Sequence, residues 1–147
     1  MYQYGYGVTQ SYEKAIEYYQ LAAKQEYAAA QSNLGYMYEN GYGITQSYEK
    51  AVKYYQLAAD QGHATAQNNL GCMYYFGYGI TQSYEKAAEY FQLAADQGYA
   101  LALDWLGFMY ENGYGVTQSY EKAAKYNQLA ADQGIPNAQC RLAILFY

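Results

Sequence analysis

The chain is built from one sequence unit that recurs every 36 residues. The stretch GYG[VI]TQSYEKA begins at Gly5, Gly41, Gly77 and Gly113, with no insertion or deletion between the copies. A fixed period of 20–50 residues is typical of a repeat array, in which each unit buries its apolar face against its neighbours. The 147 residues therefore form one predicted domain, 1–147, with a partial unit 1–26, full units 27–62, 63–98 and 99–134, and a partial unit 135–147.

Each unit has the pattern of two helices. In the first full unit Ala30, Leu34 and Tyr38 lie at i, i+4 and i+8, which places them on one helix face. Gly41 follows this run and suits a left-handed helix stop. Ser47 then suits the N-cap of a second helix, because its hydroxyl can accept an unpaired backbone N–H. No strand pattern competes, so the sequence predicts an all-α fold of eight helices arranged as stacked hairpins.

The unit AQSNLGYMYENGYGITQSYEKAVKYYQLAADQG resembles the Sel-one-like repeat (SLR), a relative of the tetratricopeptide repeat. The matching positions of the first full unit are Ala30, Leu34, Gly35, Tyr38, Gly41, Gly43, Lys50, Ala51, Ala58, Ala59 and Gly62. The next two full units match at the same positions. The resemblance covers almost the whole chain, and it departs from the family where Ser47 replaces the usual Asp, Tyr54 replaces Trp and Ala143 replaces Gly. It implies a right-handed α/α solenoid of about four repeats whose members act as adaptors holding protein partners.

Charge and hydropathy exclude several classes of partner. Eight Lys plus Arg stand against thirteen Asp plus Glu, a formal net charge of −5, so the basic footprint of a nucleic-acid binder is missing. No apolar run approaches the roughly 18 residues of a membrane span. No basic-then-apolar segment opens the chain as a signal peptide would. The chain as it stands would be cytoplasmic, and export within a longer parent protein is left open.

The repeated Ser-x-x-Lys, as in Ser11-Tyr12-Glu13-Lys14, matches the spacing of the β-lactamase nucleophile motif. That chemistry also needs Ser-Asp-Asn and Lys-Thr-Gly, and neither tripeptide occurs in the chain. We therefore interpret the serine as a helix cap and Glu13 as a partner for the positive end of the helix dipole. The capping interpretation does not explain why a lysine recurs at the fourth position of the motif. No catalytic residue is assigned, and a β-lactamase-like hydrolase is the remote alternative.

The cysteines and the single histidine are predicted to be structural. Cys72 and Cys140 lie two units apart, and helices pack about 8–10 Å from their neighbours, so a disulfide between them is excluded and free thiols are expected. Some SLR members with paired cysteines have been connected with β-lactamase activity, but this chain lacks that pairing. His63 lies at a turn between units and has no second ligand for zinc. No metal or cofactor is predicted.

The predicted binding surface comes from comparing the units with one another. Units 27–62 and 63–98 differ at nine of 36 positions, and five of these lie on the first helix beside the packing face. In tetratricopeptide-like folds this face lines the concave groove. The predicted partner-binding residues are Asn33, Tyr36, Asn69, Tyr75, Phe76, Trp105, Phe108 and Arg141.

Four of these residues, Asn33, Asn69, Trp105 and Arg141, share one repeat position and should form a ladder along the groove. Trp, Tyr and Arg are the residue types enriched at interface hot spots, which favours a protein or peptide as the partner. The alternative is that exposed positions have drifted after duplication.

Tyrosine is unusually frequent, with 24 residues, of which sixteen occupy fixed repeat positions. We interpret those sixteen as packing residues; stacking on a sugar or aromatic ligand is the alternative. The variable Tyr36 and Tyr75 are the better contact candidates.

Both ends of the chain fall within a repeat. Met1 shares its repeat position with Met37, and residues 135–147 supply a first helix without a second. Two interpretations stay open. Either the chain is a piece of a longer array, with a structural spacer as the alternative role, or its exposed end stacks on another copy in weak head-to-tail self-association.

Overall fold

The computed structural model describes the backbone of residues 11–145 and the side chains of residues 11–141. In this part the chain forms eight helices and no strand: α1 Tyr12–Lys24, α2 Ala28–Asn40, α3 Tyr48–Asp60, α4 Ala64–Phe76, α5 Tyr84–Ala95, α6 Ala100–Asn112, α7 Tyr120–Asp132 and α8 Pro136–Leu145. Each helix packs mainly against the helices before and after it. The predicted all-α architecture of stacked hairpins is confirmed. We call α2, α4, α6 and α8 the first helices, and α1, α3, α5 and α7 the second helices.

Some predictions fall outside the described residues. They concern the start of the chain, from Met1 to the turn at Gly5, and the exposure of the side chains after residue 141.

The Ser-x-x-Lys motif is a helix start. The Ser47 hydroxyl oxygen accepts a hydrogen bond from the backbone N–H of Lys50 at 3.2 Å, and the same bond begins α1, α5 and α7. The side chain of Lys50 then reaches back to the first helix, where its Nζ lies 5.4 Å from the ring centre of Tyr38. Equivalent contacts recur in the next two repeats. A cation over an aromatic face is favourable, so the lysine joins the two helices of each hairpin.

Small residues allow the two helices of a hairpin to approach closely. Ala51 and Ala58 of α3 are fully buried with Leu34 and Met37 of α2. A Cβ added to Gly35 would lie 2.6 Å from the Tyr55 ring, so no other residue fits there without a shift. The two helices therefore approach closely at this glycine, whose neighbour is a buried aromatic ring of the second helix.

The fixed tyrosines stack in two series. Within a repeat, the ring of Tyr38 lies parallel to that of Tyr54 at 5.6 Å, and the pairing recurs in the next two repeats. Between repeats, Tyr48 at the start of a second helix stacks at 4.9 Å on Tyr78 in the next repeat's turn. Equivalent stacks precede and follow it. The Gly-Tyr-Gly turn therefore joins repeats, and the packing interpretation of these tyrosines is confirmed.

The remaining structural predictions concern single residues. His63 caps α4: its Nδ1 accepts the backbone N–H of Ala66 at 3.3 Å, and burial lowers the pKa of the imidazole, which keeps it a neutral acceptor. Cys72 and Cys140 are free thiols, as predicted. None of the described helices has both the length and the hydropathy that a membrane span requires.

Candidate interaction surface

Five of the eight predicted partner-binding residues surround one cleft on the first-helix face. The cleft has a volume of about 310 Å³. It is lined by Tyr75, Phe76, Asp104, Trp105, Phe108, Asn137 and Arg141. It therefore brings together residues of α4, α6 and α8. The other three predicted residues, Asn33, Tyr36 and Asn69, lie on α2 and α4 outside it.

Aromatic rings form the wall of this cleft. The ring centre of Trp105 lies 4.9 Å from that of Tyr75, 6.0 Å from that of Phe76 and 6.2 Å from that of Phe108. Phe76 is the most open of the four, with 49% of its surface exposed. Burial raises the pKa of the Tyr75 hydroxyl, with nearby Tyr84 and Tyr114 adding to the effect, so Tyr75 is neutral at physiological pH. We call Tyr75, Phe76, Trp105 and Phe108 the aromatic cluster.

Trp105 also belongs to the interior of the solenoid. Its indole stacks on Phe91 of α5, with ring centres 5.1 Å apart and planes within 7° of parallel. Phe91 is fully buried. The single tryptophan therefore packs against the interior and also lines the cleft.

The same repeat position makes an equivalent contact at the neighbouring boundaries between repeats. Asn69 lies beside the side chain of Tyr55, whose hydroxyl donates to Glu39 at 2.5 Å. Burial and the Glu39 carboxylate raise the pKa of Tyr55, so its hydroxyl stays protonated. At the boundary between units 99–134 and 135–147, the Arg141 Nε donates to the Asn127 Oδ1 at 3.4 Å. We call Tyr55–Asn69, Phe91–Trp105 and Asn127–Arg141 the junction pairs.

The side chain of Arg141 is paired with a carboxylate of the same chain. It forms an ion pair with Asp104, and its Nη2 donates to the Asp104 backbone carbonyl at 3.1 Å. Each of the two side chains is only 18% exposed. Burial lowers the pKa of the guanidinium from its very high ordinary value. Arg141 thus lines the cleft with its charge already balanced.

Sequence reasoning missed the buried members of the junction pairs. Tyr55, Phe91 and Asn127 lie fourteen residues before their partners, at one repeat position of the second helices. All three are fully buried, and they differ among the three full units. A variable position among the fixed residues of the second helix was the available signal. Asp104 and Asn137 of the cleft wall were not predicted as site residues either.

The first-helix face is acidic. All seven lysines of the chain lie on the second helices. Within the described first helices the charged residues are Glu39, Asp104, Glu111 and Arg141. Because Arg141 is paired with Asp104, the remaining charge of this face is negative. Over residues 11–141, no three His, Cys, Asp or Glu side chains are grouped as metal ligands would be.

The family model of the Sel1 repeat matches residues 1–27, 28–63, 64–99 and 100–135. The chain belongs to the Sel1 repeat family. This is the SLR family that the sequence pattern resembles, and its members generally mediate protein–protein interaction. The three full matched units begin one residue after those read from the sequence alone.

Solved Sel1 repeat structures share the fold. A protective antigen of uropathogenic Escherichia coli strains, described as displaying an SLR fold, is 36% identical with a TM-score of 0.94, covering 99% of this chain and 31% of its own. A Sel1 repeat protein from Oxalobacter formigenes is 32% identical with a TM-score of 0.90, covering 97% and 58%. The chain thus spans under two thirds of either.

A third structure, Helicobacter pylori cysteine rich protein B, is 24% identical with a TM-score of 0.70, covering 88% of this chain and 92% of its own, and it shows the fold alone. No curated protein matches the chain.

Proposed function

We propose that the chain is a non-enzymatic adaptor that binds a protein or peptide along the first-helix face, at the cleft between α4, α6 and α8. The aromatic cluster carries this proposal. Where the second repeat has Tyr75 and Phe76, the first has Glu39 and Asn40. The first repeat folds with polar residues there, so the fold itself does not require the aromatic pair. Exposed aromatic patches of this kind are typical of interaction sites.

The charge of the face indicates the chemistry of the partner. With Arg141 paired and the lysines on the opposite helices, a basic side chain of a partner meets no repulsion here. The rings of Tyr75 and Trp105 can pack against an apolar anchor or bind a cation over their faces. We expect the preferred ligand to be a peptide segment with an aromatic or aliphatic anchor beside a Lys or Arg.

The serines support a non-enzymatic role. Each Ser hydroxyl oxygen of the four Ser-x-x-Lys motifs accepts a helix-cap hydrogen bond. The lysines beside the caps of α3, α5 and α7 lie over tyrosine rings instead of over the serines. A spacer role and head-to-tail stacking of copies both stay predictions, since they involve the ends of the chain.

A peptide-display selection against the whole chain tests the adaptor proposal. Selected peptides should bind the wild type and lose at least about tenfold in affinity to Phe76→Ser, since a hot-spot aromatic contributes about 2 kcal/mol or more. Tyr120→Ser, a comparable loss of an exposed aromatic side chain at the start of α7, should bind normally. Peptides that bind both variants equally well would refute the cleft as the binding site.

A further inference from the structure

A row of leucines stays exposed on the opposite face of the solenoid. Each second helix carries one at the same repeat position, and each is between 42% and 58% exposed. The four are Leu21, Leu57, Leu93 and Leu129. The fold does not bury them, although every copy of the unit keeps an apolar residue there. We call this row the leucine ridge.

A charged residue accompanies each leucine one helical turn earlier, and its sign alternates along the solenoid. The four residues are Glu17, Lys53, Glu89 and Lys125, and all are exposed. Residues i and i+4 share a helix face, so each charge lies beside its leucine. The other charges at the start of these helices, such as Glu49 and Lys50, are identical in every copy. The alternation is therefore confined to the ridge.

The charge order Glu, Lys, Glu, Lys faces opposite charges on a second copy only when the helix order of that copy runs the other way. A two-fold axis parallel to the second helices, between α3 and α5, would place α3 of one protomer opposite α5 of its partner at equal height. Lys53 would then face Glu89, and Leu57 would face Leu93, in both directions. The outer residues would pair in the same way. Two copies placed without reversal would oppose like charges.

Grooves beside the ridge provide room for a partner's side chains. One groove, of about 400 Å³, lies between α3 and α5 and is bounded by Asp60, Tyr90 and Leu93. Another, of about 690 Å³, lies on the other side of Leu93 and is bounded by Leu106 and Tyr110. Helix faces associate by packing ridges into grooves of this kind.

We propose that the leucine ridge is an isologous interface between two copies of this chain. The dimer buries the central pairs Leu57–Leu93 and Lys53–Glu89 around the two-fold axis. The first-helix faces then point away from the interface on both protomers, so each dimer presents two clefts. The interface does not depend on what the clefts bind.

Charge reversal tests the dimer in sedimentation velocity across a concentration series at low salt. The wild type should sediment as a concentration-dependent dimer. Lys53→Glu and Glu89→Lys should each weaken it at least tenfold, because two-fold symmetry repeats every reversed charge in a second contact. Glu26→Lys, an equal change of charge in the exposed turn after α1, should leave the dimer intact.

Rescue makes the test specific. The double variant Lys53→Glu/Glu89→Lys should dimerise again, and an equimolar mixture of the two single variants should form a heterodimer. Circular dichroism should show all variants folded. A wild type that is monomeric throughout, an association that neither reversal weakens, or a mixture that stays monomeric would overturn the proposal. Oligomers that keep growing with concentration would also overturn it, and would favour head-to-tail stacking.

Discussion

Two junctions one repeat apart solve the same packing problem with different chemistry. At the boundary between units 63–98 and 99–134, Phe91 stacks on Trp105. At the next boundary, Asn127 accepts a hydrogen bond from Arg141. In both, the second-helix residue is fully buried against a first helix. In both junctions the residue type on the first helix matches that of the buried residue fourteen positions earlier on the second helix. Variation alone therefore does not distinguish a binding surface from an adjusted interior.

This changes the ranking of the site residues. Trp105 and Arg141 have an internal reason to vary, since each matches the residue that it packs against. Tyr75 has such a reason in part, since the equivalent Glu39 accepts the Tyr55 hydrogen bond, which Phe91 cannot make. Phe76 has none, because it is 49% exposed and the equivalent Asn40 bonds to the Tyr36 carbonyl of its own helix. The exposed part of the aromatic cluster is thus the stronger functional candidate.

The largest expected effect comes from removing the buried ring of the aromatic junction. Phe91→Ala deletes a fully buried side chain and the support of Trp105, so it should lower the free energy of unfolding by about 3–5 kcal/mol. Asn127→Ala at the equivalent position should cost about 1 kcal/mol. Urea denaturation measures both. Equal losses would show that the two junctions contribute alike and would contradict the comparison.

The polar junction is broken by removing its cation. Arg141→Met leaves the largely buried Asp104 carboxylate without its partner and should cost about 1–3 kcal/mol in urea denaturation. Adding Asp104→Asn removes the uncompensated charge and should recover part of the loss. If the double variant is less stable than Arg141→Met, the ion pair is not what stabilises this junction.

A transplanted pair tests whether the two members act together. Gly107 leaves space beside Asn127, as Gly71 does beside Phe91, so Asn127→Phe with Arg141→Trp should form an aromatic junction. In a double-mutant cycle the two substitutions should show a favourable coupling of about 1 kcal/mol. Additive effects would mean that the pairing is incidental.

The smallest effect is on reactivity, not stability. Burial, together with the Glu39 carboxylate, raises the pKa of Cys72 to about 12, whereas Cys140 is exposed. Since the thiolate is the reactive form, a thiol reagent at pH 8 should modify one cysteine per chain quickly, and none quickly in Cys140→Ser. The Cys72 rate should rise about tenfold per pH unit up to pH ~11. Two equally fast thiols would place Cys72 on the open surface.

The sequence predicts features that depend on neighbouring residues. Gly41 and Ser47 mark helix ends because the left-handed stop and the cap hydrogen bond involve residues at most four apart. The partner of Lys50 is harder to see, because Tyr38 belongs to the other helix of the hairpin. The junction pairs and the cleft depend on how helices of different repeats lie against each other. A period identifies the repeat, but it does not specify these contacts.

The adaptor proposal is tested most directly by the fluorescence of Trp105, the one tryptophan in the chain, which lines the cleft. Titration with a basic, aromatic peptide selected against the wild type should shift its emission to saturation. The same titration of Phe76→Ser should need at least about tenfold more peptide, and that of Tyr120→Ser should match the wild type. A peptide that binds tightly, leaves the Trp105 emission unchanged and tolerates Phe76→Ser would contradict the proposal.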